Sequence, residues 1–465
     1  PEITTGQRIG YADSSTFFAG GTVKSTLAET LPFSGEELPI IDSTSSGKHF
    51  VKYEDEKLNV RAEVLLERAD NYDEFADWPD EPTTDRLLDL MNTVKLYDDI
   101  LEYGLLMKLQ EDASQDVKAR IMDARRQFAS DSTTHKIAEA VEFFDPETYS
   151  QQLSIGENLI FGTPVDEEFG PEMLPANVLV RDVLNQNDLV APLFNVGFEI
   201  AKNNIELFGD LAEDSMLLQR SGGPSPELLI DMRQWIEDLT GKDVNSANES
   251  QLENMLGLAF DYGEAQTRFG LVDKALQDKI LSARTMLRDK VNETDGNAIA
   301  FHDPEHFNPS LTVLDNILFG RIDARRIGAR DRVMKSIKTM IESSGIADTV
   351  FKIGLSFDIG TGGRNLSTHQ AQKLKLLRAL LKQPDIVILN RALSALDASE
   401  RLKIIQNVVA LAGEAGQRRM GIVYVPLDNS GWEDFDRILL MEDGKIVADG
   451  TPEKVADRLE AALAQ

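Results

Sequence analysis

The densest chemistry in this sequence lies between Arg364 and Asp397, RNLSTHQAQKLKLLRALLKQPDIVILNRALSALD. Leu366-Ser367-Thr368-His369-Gln370 opens a helical stretch that Pro384 ends. There Ser367 can donate a hydrogen bond to an anion, the helix dipole favours negative charge, and His369 adds a cation when protonated. The aliphatic strand Ile386–Leu389 then runs into Asn390 and Arg391. A neutral amide is a poor ligand for a hard cation, and a guanidinium is no general base at neutral pH. A second cluster, His302-Asp303-Pro304-Glu305-His306, invites a metal reading. Pro304 forbids a regular helix face carrying both histidines, so this segment is expected to be a loop that turns the chain. Carboxylates are so numerous elsewhere that no acid/base pair stands out.

The elements that must position these residues change in character along the chain. Through residue 345 the pattern is mainly helical. Arg86–Leu109, Ala113–Phe128, Ala176–Asn185, Pro226–Leu239, Gln251–Leu258, Lys274–Lys290 and Asp331–Ser343 carry apolar residues at three- and four-residue spacing. Ser225 before Pro226 is a good helix start. After residue 384, Asp385–Leu389, Gly421–Val425, Arg437–Met441 and Lys445–Ala448 read as short strands, with a helix Ser399–Leu411 between the first two. A tight hairpin is expected at Glu442-Asp443-Gly444. The C-terminal module is therefore α/β.

An internal similarity organises the chain. Asp145–Gly162 (DPETYSQQLSIGENLIFG) and Asp303–Gly320 (DPEHFNPSLTVLDNILFG) share seven of eighteen residues. Leu189–Gly197 resembles Ile346–Gly354, and the helix Lys118–Phe128 ahead of the first block resembles Lys279–Arg288 ahead of the second. A weaker copy comes first, in Phe17–Leu27 and Leu96–Leu105, split by a polar, acidic stretch at about 34–84 that reads as an irregular insertion. Three successive segments are expected: 1–130 with the insertion, 131–295, and 296–465 running on into the α/β module. Phe194, Phe351, Gly197 and Gly354 are expected to be core and turn residues repeated with the unit.

Charge is unevenly spread. The 465 residues hold 48 Lys and Arg against 79 Asp and Glu, a net −31. Residues 321–465 carry 22 basic and 19 acidic groups, whereas residues 1–320 carry 26 and 60. So acidic a body repels a phosphate backbone, which argues against nucleic acid as a partner. With no cysteine, disulfides, thiolate catalysis and cysteine metal sites are excluded. No apolar run is long enough for a membrane span, so direct membrane insertion is not expected.

Over about residues 341–455 the chain resembles the nucleotide-binding domain of ABC transporters. Leu366–Gln370 stands at the position of that family's LSGGQ signature. Arg378-Ala379-Leu380 follows, Ile386–Leu389 is its hydrophobic strand, and Ser394–Asp397 matches its D-loop. Asp436–Val447 with Gly450-Thr451 matches its closing hairpin, and Ile9-Gly10-Tyr11 resembles the entry to its glutamine loop, with Ser14 near the glutamine position. The fold implied is an ABC ATPase-like α/β C-terminal module, an incomplete P-loop NTPase core, joined to a large, mainly α-helical repeated region.

The resemblance also implies what is altered. The family's glycine-rich phosphate loop is not found. Asp42–His49 lacks the first glycine and the Ser/Thr, and Gly20–Thr26 has Val23 at the second glycine. That loop is expected upstream of Pro1. Asn390 and Arg391 stand where the family has its two carboxylates, and Pro426 and Leu427 near its switch histidine, so the site is read as degenerate with no catalytic residue and no metal ligand of its own. Leu366, Ser367, Thr368, His369, Gln370, Ser394 and Asp397 are the nucleotide or interface residues implied. ATP and Mg²⁺ then require a phosphate loop from upstream or from a partner. The partners implied are a transporter membrane domain and a second nucleotide-binding domain, at the cytoplasmic face of the membrane. Two functions follow: a segment that couples or regulates ATP-driven transport with little hydrolysis, or a non-enzymatic acidic helical scaffold for dimerisation. An active stand-alone ATPase is disfavoured by the same substitutions.

Overall fold

The computed structural model describes residues 9–15, 17–28, 30, 81–109, 113–130, 137, 139–209, 223–267, 269–294, 296–323, 325–413, 420–426 and 431–456. Residues 31–80, which include most of the acidic stretch and Asp42–His49, lie outside them, as does Leu427. The chain forms two units, residues 1–107 with 348–465, and residues 108–347.

The first unit opens with β1 (Ile9–Asp13), α1 (Val23–Ala28), α2 (Glu81–Thr93) and α3 (Tyr97–Leu106). The second holds α4 (Gln115–Ser130), β2 (Val141–Phe143), α5 (Ile155–Ile160), β3 (Gly162–Pro164), α6 (Val178–Gln186), α7 (Val190–Phe208) and α8 (Pro226–Leu239). It continues with α9 (Glu249–Asp261), α10 (Lys274–Thr294), β4 (Ile299–Phe301), α11 (Val313–Leu318), β5 (Gly320–Ile322) and α12 (Ala329–Ser344). The chain returns to the first unit with α13 (Ala347–Leu355), α14 (Thr368–Leu381), β6 (Ile386–Asn390), α15 (Ala398–Gly413), β7 (Gly421–Val425) and the hairpin β8 (Ile438–Glu442) and β9 (Lys445–Gly450).

Long periodic segments became helices close to the expected bounds, with Ser225 capping α8 and Pro226 at its first position. Two expectations are corrected. Gly197 and Gly354 lie inside helices α7 and α13 and not in turns. Arg86–Leu109 is two helices, broken where Lys95 takes a left-handed φ of 54° and the Leu96 N–H bonds the Met91 carbonyl at 2.8 Å. Val94 and Leu96 flank the break and are both buried, so the chain turns there to keep both in the core. Helix α2 begins at Glu81, at the far end of the expected insertion.

In the first unit β1, β6 and β7 form a parallel sheet in that order, with Asp13, Asn390 and Val425 in register at the carboxyl ends. Gly10, Ala12, Val387 and Leu389 make up its buried face. A Cβ at Gly10 would stand 2.8 Å from the Ala379 carbonyl, so α14 packs there only against glycine. The opposite face shows Ile9, Tyr11, Ile386, Val423 and Val425, each at least 38% exposed. Parallel sheets ordinarily carry a cover on both faces. Helices α3 and α13 cross at two glycines: a Cβ at Gly104 would stand 2.0 Å from the Val350 carbonyl, and one at Gly354 2.0 Å from that of Ile100. The β8–β9 turn holds Asp443 and Gly444 at φ 47° and 76°, the geometry a two-residue hairpin demands.

The second unit is organised by two buried arginines with matching tasks. Arg125 of α4 donates to the carbonyls of Asn316 (2.7 Å), Asp303 (3.1 Å), Pro304 (3.0 Å) and His306 (3.1 Å) and to the Asn316 side chain (3.0 Å). Arg284 of α10 donates to the carbonyls of Asn158 (2.7 Å), Pro146 (2.9 Å) and Thr148 (3.0 Å) and to the Asn158 side chain (2.8 Å). Each guanidinium lies 4.2 Å over a left-handed phenylalanine ending a short helix, Phe319 after α11 and Phe161 after α5. Two short antiparallel pairs, β2 with β5 and β3 with β4, bring the blocks together. His302 stacks on Phe144 at 4.5 Å between them, with Phe161 and Phe319 edge-on.

Candidate functional site

The carboxyl ends of parallel strands are where ligands meet an open α/β sheet. Here those ends carry Asp13, Asn390 and, after it, Arg391. Asp13 is already engaged: the Lys375 ammonium of α14 donates to its carboxylate and, at 2.5 Å, to the Ser15 carbonyl. The Ser15 hydroxyl adds a bond at 2.7 Å. Burial alone would raise the Asp13 carboxyl, but the hydrogen bonds from Lys375 and Ser15 and the Lys375 charge outweigh it and hold the pKa at about 2. Asn390 Nδ2 donates to the Tyr11 hydroxyl at 3.3 Å. Arg391 is exposed at a left-handed φ of 50°, its N–H bonded to the Val425 carbonyl at 2.9 Å. Pro426 is exposed just past β7.

Local capping chemistry builds the segment from Leu366 to Gln370. Ser367 is the N-cap of α14 and forms a reciprocal box with Gln370, whose Oε1 accepts the Ser367 N–H at 3.0 Å. Gln370 Nε2 donates onward to Asp99 at 3.1 Å. Thr368 and His369 are exposed, and Leu366 is half-buried. Asp397 caps α15, accepting the Glu400 N–H at 3.0 Å. Ser394 accepts from Gln372 Nε2 at 2.9 Å, and the same amide donates to the Ser14 carbonyl at 3.1 Å. Gln372 Oε1 accepts the Ala395 N–H at 2.9 Å, so one buried amide ties the end of β1 to the turn before α15. Gln370 and Ser394 are thereby linked into the first unit's polar network, whereas among the described residues Thr368, His369 and Pro426 stand apart from it.

Sequence reasoning missed several members of that network. Lys373 is buried between Asp99 (3.2 Å) and Glu400 (2.8 Å). Burial works against its charge, but hydrogen bonds to those two carboxylates prevail and raise its pKa. Lys375 and Asp13 were also missed. Gly20–Thr26 is a capped turn: Thr22 and Ser25 exchange hydrogen bonds at the start of α1. The His302–His306 segment is a turn in which Asp303 accepts the Glu305 N–H at 2.8 Å and meets His306 Nδ1 at 3.1 Å.

The strand ends do not fit Mg²⁺. Their one carboxylate is held by an ammonium, the next group is a neutral amide, and the next is a cation. Among the described residues no three His, Asp or Glu side chains gather as a metal site would require.

The C-terminal half is similar to the nucleotide-binding domain of ABC exporters and flippases. It is 30% identical over 190 residues to the ATP-dependent lipid A-core flippase of Ralstonia nicotianae, covering 40% of this chain and 28% of the relative. It is 33% identical over 145 residues to the protein of the same name from Neisseria meningitidis, covering 31% and 21%. A mitochondrial potassium channel ATP-binding subunit of Pongo abelii is 31% identical over 160 residues, covering 34% and 21%. The chain thus spans well under half the length of these relatives. No family model matches it. Among the described residues no helix is long and apolar enough to cross a membrane.

Proposed function

We propose that this chain is a nucleotide-binding-domain segment of an ABC transporter that couples or regulates ATP-driven transport, with little or no hydrolysis of its own. The observation that carries the reading is the end of β6, where Asn390 lies in register with Asp13, a carboxylate already paired with Lys375, and is followed by Arg391. A phosphate delivered there meets neither a metal ligand set nor a base. The apolar face of the β1-β6-β7 sheet supports a core completed by a further α/β segment that bears the phosphate loop. ATP and Mg²⁺ belong to the completed assembly. Ser367 and Asp397 lie at its interface with a second nucleotide-binding domain, and a transporter membrane domain holds it at the cytoplasmic face. The matched arginines Arg125 and Arg284 favour a helical region expanded by duplication, in segments 1–130, 131–295 and 296–465.

Calorimetric titration of the 465-residue chain with MgATP tests this, alongside the double variant Asn390→Asp, Arg391→Glu. Neither protein is expected to bind. Micromolar binding by the wild type would show a phosphate site within the chain and end the reading.

A further inference from the structure

Two turns in the second unit begin alike and end in opposite characters. Each leaves a left-handed phenylalanine, Phe161 or Phe319, passes through a three-residue strand and turns on an aspartate. Asp166 accepts the Glu168 N–H at 3.0 Å, and Asp323 accepts the Arg325 N–H at 3.0 Å. Each turn then reaches a large apolar residue followed by glycine, Phe169-Gly170 or Ile327-Gly328. Phe169 is buried and follows Glu167-Glu168. Ile327 is 96% exposed and follows Arg325-Arg326. The two turns differ in backbone as well, Gly170 at φ −62° and Gly328 at a left-handed 67°, so exposure of the apolar residue and basic charge occur together only in the second.

Helix α12 continues the same surface. It buries Ala329, Val333, Ile337, Met340 and Ile341 and turns Arg330, Asp331, Arg332 and Lys335 to solvent, three cations against one carboxylate. Residues 325–338 contain six basic residues and one acidic residue in a chain of net charge −31. Some of that charge is internally engaged, Arg325 with Asp323 at 2.7 Å and Arg326 with Glu139 at 2.9 Å. Arg332 donates to the Ile327 carbonyl at 2.9 Å, which fixes the tip to the helix.

We propose that this tip and helix face form a membrane-contact surface, with Ile327 seated at the headgroup–acyl boundary of an anionic phospholipid bilayer and Arg330, Arg332 and Lys335 over the headgroups. An aliphatic side chain at the head of a basic face gains from acyl burial and from anionic headgroups together. An acidic polypeptide would satisfy the charges and leave Ile327 without a counterpart. The acidic body does not forbid the contact, since charges beyond about 8 Å are largely screened at physiological salt. The contact lies at headgroup depth and is not a span. It stands independently of the nucleotide reading.

The test is co-sedimentation of the full chain with phosphatidylcholine vesicles, with and without phosphatidylglycerol. Binding is expected only with phosphatidylglycerol and weakens with added salt. Ile327→Ser should lower the partition coefficient about ten-fold or more, and Arg330→Ala and Lys335→Ala about five-fold each. Val178→Ser, also at a highly exposed position (83%), should change nothing. Because Ile327 packs against nothing, its variant keeps the fold, which circular dichroism verifies. Absence of binding to anionic vesicles, or equal binding by Ile327→Ser, overturns the proposal. So does binding that polyglutamate displaces and Ile327→Ser leaves intact, which would mark an acidic polypeptide as the partner.

Discussion

Replacing His302 by phenylalanine should make the second unit more acid-resistant. His302 is 6% exposed, stacked on Phe144 and enclosed by Phe161 and Phe319, and its Nδ1 takes no hydrogen bond. Burial first, then the charges of Arg321, Arg125 and Arg284, push its pKa down to about 4 from the ordinary 6.5. The sign follows from proton counting. The folded state holds the imidazole neutral while the unfolded state protonates it below about 6.5, so stability falls as pH drops from that value towards 4. At pH 5 the loss is about 2 kcal/mol, and it approaches about 3 kcal/mol when both states are protonated. Phe144 already fills the matching place in the other block, so His302→Phe should repack with little strain. Because His302 lies in the second unit, a local readout of that unit is more specific than global denaturation. Amide exchange in peptides covering 145–162 and 299–322, corrected for intrinsic rates, reads the local opening energy at pH 5 and 7. The wild type should lose about 2 kcal/mol of protection between those pH values and the variant very little. Equal losses in the two proteins would refute the assignment of the pH dependence to His302.

Arg284→Lys should lower the thermal midpoint, because an ammonium cannot span the fork between the Asn158, Pro146 and Thr148 carbonyls. The cost is about 2–4 kcal/mol, with Arg125→Lys matching it, and an unchanged midpoint would count against the fork geometry. Gly104→Ala drives a methyl to 2.0 Å from the Val350 carbonyl and should cost about 1–3 kcal/mol by urea titration. Gly413→Ala, with nothing within 4 Å, serves as the control and should be neutral or slightly stabilising.

The long helices were legible because a 3.6-residue apolar period over more than ten residues has few alternatives, and Ser225-Pro226 marked a start that α8 uses. The strands β6 and β7 and the hairpin turn at Asp443-Gly444 were legible for similar local reasons. The pairs β2–β5 and β3–β4 were not: each strand has three residues, and its partner lies well over a hundred positions away. Nothing local specifies such a pairing. At the candidate site the capping roles of Ser367 and Asp397 could be anticipated from residue type, whereas nothing in the local sequence distinguishes Gln372 from an ordinary helix residue. Only packing brings its amide to Ser14 and Ser394. The arginines make the distinction sharpest. The similarity of Lys118–Phe128 to Lys279–Arg288 was visible, and both helices do use an arginine in the same way. Yet Arg125 holds the block at 303–316, not the nearer one at 145–162, which Arg284 holds instead. Local sequence specifies a guanidinium that needs several carbonyl oxygens. Which loop supplies them is settled by the helix packing around it, so similarity between segments identifies residues of like function without identifying their partners.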